Sequence, residues 1–260
     1  MTEPSQLYPR YLKPGCATFD PLELAKQTEE IVCQGDRRKY TRFYRASMYG
    51  GIATGYTCGC CLRCIFCWVS WSRDFPERYG EFRTPREAFD RLYEIARKSG
   101  VDVVRISGAE PTLGKAHLLG LLERVERSSF RQFILETNGI LLGADSDYAG
   151  QIVRFRKVHT RVALKAGTPE AFTRKTGAEP ESFELPFRGI VNLLDAGASF
   201  HVASMTGDPR IVPDEERQGL LDRLARIHPS LIRELEEESI SPYPNAVKRL
   251  RHARARLTWQ

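Results

Sequence analysis

Cys58-Gly59-Cys60-Cys61-Leu62-Arg63-Cys64-Ile65-Phe66-Cys67-Trp68 gathers five of the chain's seven cysteines into one short stretch. Crowding of this kind points to metal ligation before disulfide pairing, because a reducing compartment keeps thiols free. Cys60, Cys64 and Cys67 give the spacing C-x3-C-x2-C, with the aromatic Phe66 directly before the last thiol. Three thiolates on one loop can hold three irons of a 4Fe–4S cube and leave the fourth open to another ligand. A second register exists, since Cys58, Cys61, Cys64 and Cys67 recur at every third residue. As a zinc site that ladder forms two C-x2-C pairs, which zinc ribbons separate by a longer closing loop. As a ferredoxin site it needs three residues before the last cysteine and a proline after it, whereas here two precede and Trp68 follows. Cys16 and Cys33 stand alone and read as ordinary structural residues.

Outward from the cysteines, strand and helix patterns alternate. The apolar stretch Gly50–Tyr56 leads into the cluster, and Pro85–Lys98 has helix-spaced apolar residues ended by Gly100. Val101–Ser107 reads as a strand buried on both faces. Then follow a helix at Leu118–Val125, a strand at Gln132–Glu136, a helix at Asp145–Phe155 and a strand at Arg161–Lys165. A helix at Phe187–Ala196, a strand at Ser199–Met205, a helix at Glu215–Ile227 and a last strand around Ile232–Ile240 complete about six units. Such alternation predicts parallel strands with right-handed crossovers. Six units fall short of a closed eight-stranded barrel, so the expected fold is α/β, a partial (β/α)6 barrel of parallel strands. Residues 1–44, with one short helix at Pro21–Cys33, read as an N-terminal extension to a domain spanning 45–260. The stretch 248–257 reads as a basic C-terminal helix, either a solvated face or a contact for RNA or an acidic partner.

Composition narrows the classes further. With 42% hydrophobic and 28% charged residues in 260, the chain is globular in character. No apolar run approaches the length of a membrane span, and the first ten residues lack the layout of a secretion signal, so the expectation is a cytoplasmic protein. The net charge of +6 owes much to Lys248, Arg249, Arg251, Arg254 and Arg256 near the C-terminus.

The cysteine segment resembles the signature loop of the radical S-adenosylmethionine (SAM) superfamily, C-x3-C-x-aromatic-C. The resemblance implies Cys60, Cys64 and Cys67 as ligands of a 4Fe–4S cluster, SAM as cofactor, and a reducing electron donor as partner. Cys58 and Cys61 have no role in that pattern. Ser107-Gly108-Ala109-Glu110-Pro111 resembles the superfamily's G-G-E-P motif, with Ala109 in place of the second glycine, and so implies contact with the amino group of SAM. Glu136-Thr137-Asn138-Gly139 resembles the T-N-G element of the glycyl-radical-enzyme activases, the pyruvate formate-lyase activating enzyme group, with Thr137 and Asn138 suited to ribose hydroxyls or a carboxylate. Arg161–Lys165 resembles the activases' D-L-K strand, Lys165 supplying a compact cation, although Ala163 stands where they carry aspartate. His201 faces the same side of its strand as Ala203 and Met205 and is a further candidate. The implied activity is reductive cleavage of SAM to a 5'-deoxyadenosyl radical that takes a hydrogen atom from a protein or peptide substrate. A small metabolite, an RNA base, and a non-catalytic iron–sulfur carrier are the alternatives. No residue is assigned a proton-transfer role.

Overall fold

The computed structural model describes residues 8–257. Six parallel strands form its centre: β3 (Ile52–Thr57), β5 (Val103–Gly108), β6 (Gln132–Thr137), β7 (Val158–Leu164), β8 (Phe200–Ser204) and β9 (Glu236–Glu237), hydrogen-bonded in that order. The sheet does not close on itself, so the architecture is the partial barrel that the alternation predicts. Helices α2 (Pro85–Ser99), α3 (Lys115–Glu126), α4 (Ile140–Ala144), α5 (Ser146–Ile152), α6 (Pro169–Thr176), α7 (Glu184–Asp195), α8 (Asp214–Ile227) and α9 (Ser230–Arg233) fill the crossovers. The local signals explain their ends. In α2, Thr84 accepts from the Glu87 amide at 3.2 Å while Glu87 accepts from the Thr84 amide at 2.8 Å, a capping box, and Gly100 terminates the helix at φ +64°.

Strand alternation divides the side chains between two environments. Val104, Ile106, Phe133, Leu135, Val162, Leu164 and Val202 belong to one buried core with Leu92, Leu118, Leu122, Ile190, Leu193, Leu220 and Leu224 of the helices. Each such side chain is worth roughly 1.5–3 kcal/mol of transfer free energy when fully buried. The alternate positions carry Arg105, Ser107, Glu136, Arg161 and Ala163, which face the opposite side of the sheet. Among the described residues no helix is long and apolar enough to cross a membrane.

Two departures from the sequence reading have physical causes. Residues 37–46 form a ten-residue strand, β2 (Arg37–Ala46), antiparallel to β3, with β4 (Glu81–Arg83) on its opposite edge and the short β1 (Cys33–Gln34) pairing with its first two residues. The stretch RRKYTRFYRA conceals this strand because two of its charged residues, Arg38 and Lys39, are buried: Arg38 is 1% exposed, donating to the carbonyls of Leu113, Cys58 and Glu110. The last strand is only two residues long, since Ser230–Arg233 is helical. The helix expected near the N-terminus is present as α1 (Pro21–Val32), capped by Asp20.

His117 of α3 is 3% exposed and lies between the Tyr40 hydroxyl at 2.8 Å and the Asp36 carbonyl at 2.7 Å. Burial pushes its pKa down from 6.5 to about 4. Between those values the unfolded chain takes a proton that the folded chain does not, so stability is lost as pH falls from 6.5 toward 4. The loss reaches about 3 kcal/mol at the lower end. Chemical denaturation at a series of pH values is expected to show a shallower acid slope in His117→Gln than in the wild type; identical slopes refute the assignment.

Candidate functional site

The C-terminal ends of the parallel strands surround one cavity, the place where such sheets gather ligands. Cys60, Cys64 and Cys67 line it from the loop after β3, together with Leu62, Phe66, Trp68 and Val69. Cys58 and Cys61 do not. Cys58 is fully buried with its thiol 3.6 Å from the Tyr79 carbonyl, and burial pushes its pKa up to about 11. Cys61 is also fully buried and accepts from Asn138 Nδ2 at 3.3 Å. A hydrogen bond from Cys61 holds the Cys60 thiol below its usual value against the opposing effect of burial. Burial dominates at Cys64 and pushes its pKa up to about 12, Lys165 opposing.

Gly108, Ala109, Glu110, Thr137, Asn138 and Lys165 all line the same cavity, from the ends of β5, β6 and β7. Gly108 sits at φ +101°, and a Cβ there would meet the Tyr56 ring at 2.8 Å, so only glycine fits. Ala109 has no such backbone demand: Tyr49 and Arg254 are the non-glycine residues with positive φ. Its methyl group therefore replaces glycine without strain.

Glu110 has a structural task that the sequence motif does not convey. It is 1% exposed, and its carboxylate accepts from the Thr112 amide at 3.1 Å, the Thr112 hydroxyl at 2.7 Å, the Thr137 hydroxyl at 2.7 Å and the Asn138 amide at 2.9 Å. The Asn138 carboxamide is likewise engaged, donating toward the sulfurs of Cys61 and Cys60 and accepting from the Ile140 amide at 3.0 Å. These polar groups join the strand ends to one another and to the cysteine loop. Lys165 differs from them: it is half-buried and, among the described residues, has no hydrogen-bonding partner. A compact unpaired cation beside the cysteines is suited to a carboxylate.

His201 does not reach the cavity. It sits on β8 in register with Arg161, where its Nδ1 meets His159 Nε2 at 2.7 Å and its Nε2 meets Glu236 Oε2 at 3.0 Å. Sequence reasoning passed over the charged residues around it. Arg161 is held by Glu236 at 2.8 Å and Glu238 at 2.9 Å, and Arg105 by Glu136 at 2.7 Å. Glu136, Arg161 and Glu238 also line the cavity, and the period-two pattern of the strands was the signal that places them there.

The donor set fits an iron–sulfur cube. Three soft sulfur donors face one cavity from one loop, with apolar residues around them and polar strand ends opposite. Among the described residues no three His, Cys, Asp or Glu side chains stand together as ligands of a single ion.

Comparison with known proteins agrees with this geometry. The radical SAM superfamily matches residues 55–224. The chain is 25% identical over 141 residues to the probable GTP 3',8-cyclase of Saccharolobus solfataricus, which is 54% of this chain and 42% of that protein. A probable GTP 3',8-cyclase of Thermoplasma volcanium is 31% identical over 83 residues, 32% of this chain and 24% of that one. The chain thus spans less than half the length of these curated relatives. Among solved structures, native anSMEcpe with bound AdoMet superposes with a TM-score of 0.53 over 70% of this chain and 49% of that chain, at 18% identity. SuiB of Streptococcus suis superposes with a TM-score of 0.50 over 72% of this chain and 39% of that chain, at 16% identity. Those two likenesses show the fold. With the superfamily matching well over half of its residues, the chain belongs to the radical SAM superfamily, whose enzymes use a 4Fe–4S cluster and S-adenosylmethionine.

Proposed function

We propose that Cys60, Cys64 and Cys67 hold the 4Fe–4S cluster, that SAM lies against Gly108–Ala109 and Lys165, and that the substrate is a protein or peptide. The cavity shared by the three cysteines and the unpaired Lys165 carries this reading. When bound, the cluster and SAM supply one-electron cleavage of a sulfonium carbon–sulfur bond and a carbon radical that takes a hydrogen atom from an inert position. The residues of the chain bind, orient and exclude water. Lys165 pairs with the cofactor's carboxylate, and Leu62, Phe66, Val69 and Met205 keep the reacting region apolar. Glu110 and Asn138 act through position, fixing the strand ends against the cysteine loop. Residues 45–260 form the catalytic unit in this reading, with residues 1–44 as an extension and the reducing cytoplasm as the setting.

The charges that line the cavity balance, Glu110, Glu136 and Glu238 against Arg73, Arg161 and Lys165. Glu238 is paired with Arg161 and Glu136 with Arg105, so this wall presents fixed donors and acceptors that suit the amides of a peptide. The relatives named probable GTP 3',8-cyclase support a second reading, a nucleotide substrate, which the same assay addresses.

Three outcomes are expected. Anaerobically reconstituted protein loses its cluster absorbance and iron when Cys60, Cys64 or Cys67 is changed to alanine and keeps both when Cys58 or Cys61 is changed; retention in the triple variant refutes the ligand set. Given SAM and a strong reductant, the protein releases 5'-deoxyadenosine, and peptide mixtures accelerate that release while GTP does not. Acceleration by GTP alone favours the nucleotide reading, and no release under any condition favours a carrier without turnover. In Lys165→Met the KM for SAM is expected to rise about tenfold or more, in line with loss of a charge-assisted contact.

A further inference from the structure

Each cavity-lining cysteine has its own arginine. Arg63 Nη1 donates to the Cys60 carbonyl at 2.6 Å, Arg73 Nη1 to the Cys64 carbonyl at 2.7 Å, and Arg249 Nη1 to the Cys67 carbonyl at 2.6 Å. All three residues are at most 1% exposed. Arg63 and Arg73 lie close to the cysteines in sequence, but Arg249 arrives from the far end of the chain on the C-terminal helix α10 (Pro244–His252). It also donates to the carbonyls of Val69 at 2.6 Å and Ser70 at 3.1 Å, and its guanidinium lies 5.1 Å from the Trp71 ring centroid. The basic C-terminal segment, expected to be helical through residue 257, is helical only to His252; Lys248 and Arg251 on the helix and Arg254 and Arg256 beyond it are exposed, whereas Arg249 turns into the wall of the site.

One carboxylate serves these guanidiniums. Asp74 is fully buried and ion-paired to both Arg73 and Arg249. Arg63 has carbonyl partners, the Pro9 carbonyl on Nε and the Leu62 carbonyl on Nη1, and among the described residues no carboxylate partner. Arg63 Nη2 and Arg249 Nε are buried with no hydrogen-bonding partner among the described residues. Buried positive charge in excess is unfavourable unless an anion stands close by. Three thiolates around an iron–sulfur cube are such an anion, and a cube that accepts an electron becomes more negative still.

We propose that Arg63, Arg73 and Arg249 are positioning residues that fix the backbone of the three cluster ligands and, through their surplus positive charge, stabilise the cluster's reduced state. The inference rests on the assignment of Cys60, Cys64 and Cys67 as ligands. Net charge, hydrogen bonding and burial set the potential of such clusters, and a buried guanidinium bonded to the carbonyl of a ligating cysteine acts with little screening. Asp74 limits the surplus and keeps two of the three guanidiniums in register with the carbonyls they hold.

Midpoint potentials of the full-length protein, reconstituted anaerobically and titrated with the reduced-cluster resonance as readout, test the proposal. Arg249→Gln removes a positive charge and is expected to shift the midpoint negative; at the wild-type midpoint the ratio of reduced to oxidised cluster falls about tenfold, ~59 mV for one electron. Asp74→Asn removes the opposing charge and is expected to shift it positive. A solely structural role predicts shifts of one sign, since both variants break the same ion pair. Arg249→Lys keeps the charge but not the fork, and is expected to restore the midpoint while holding less iron per chain. Unchanged midpoints in fully loaded variants, or shifts of the same sign, overturn the proposal. Should Arg249→Gln not fold, Arg63→Gln carries the same expected negative shift and decides the matter. A wild-type chain that takes up no cluster refutes the ligand assignment instead.

Discussion

A buried loop that turns three thiols toward one cavity must find partners elsewhere for its own peptide groups, and that constraint organises the molecule. The carbonyls of Cys58, Cys60, Cys64 and Cys67 are taken by Arg38, Arg63, Arg73 and Arg249. The amides of Arg63 and Ile65 donate to the carbonyls of Thr176 and Lys175 at 2.9 Å each. Buried backbone groups left unpaired cost about as much as lost hydrogen bonds, so these contacts select the loop's shape. The partners come from β2, the loop itself, the end of α6 and the C-terminal helix. The site is thus fixed by segments spread over more than two hundred residues, and a short motif is only its most visible part.

A second brace ties the strand ends together. Glu110 links the turn after β5 to the turn after β6, and its amide donates to the Gly59 carbonyl at 3.0 Å, just before the cysteines. On the other side of the cavity the fully buried Lys175 pairs with Glu216 at 2.7 Å, and the same carboxylate oxygen accepts from the Gly167 amide at 2.9 Å. That second contact anchors the strand end bearing Lys165 to α8. Ion pairs of this kind contribute little net stability compared with an apolar core, but breaking one partner leaves a buried charge and loses geometry. Their value lies in holding adjacent turns at fixed separations.

The sequence disclosed the parts that have short-range signals. The spacing of Cys60, Cys64 and Cys67, the turn at Gly108–Glu110 and the placement of Thr137, Asn138 and Lys165 at strand ends were legible because each follows an apolar run of recognisable period. The six-strand count was legible for the same reason. What stayed hidden depends on tertiary pairing. Arg249 looked like one more cation on a solvated helix, since composition does not tell a surface arginine from one bound to carbonyls 182 residues away. Strand β2 was obscured by inward-facing Arg38 and Lys39, whose burial depends on carbonyls contributed by distant loops. His201 faced the expected side of its strand, but strand alternation gives a face and not the contacts made there, and the residue is taken up by His159 and Glu236 outside the cavity lining.

The inner face of the sheet completes the argument. Closed eight-stranded barrels fill their interior with layers of branched aliphatic side chains and become solid. Here the corresponding positions are Arg105, Glu136, Arg161 and His201, while Val104, Leu135, Val162 and Val202 face the helices. Charged side chains resist close apolar packing and need partners, which they find across the strands: Glu136 is in register with Arg161, and Arg161 with His201. An ionic lining of this kind holds its walls apart and supplies directional contacts to whatever enters. In the proposed function the apolar groups and thiols shield a reactive group, and the paired charges orient a substrate. The period-two alternation of six parallel strands is sufficient to keep the two environments separate.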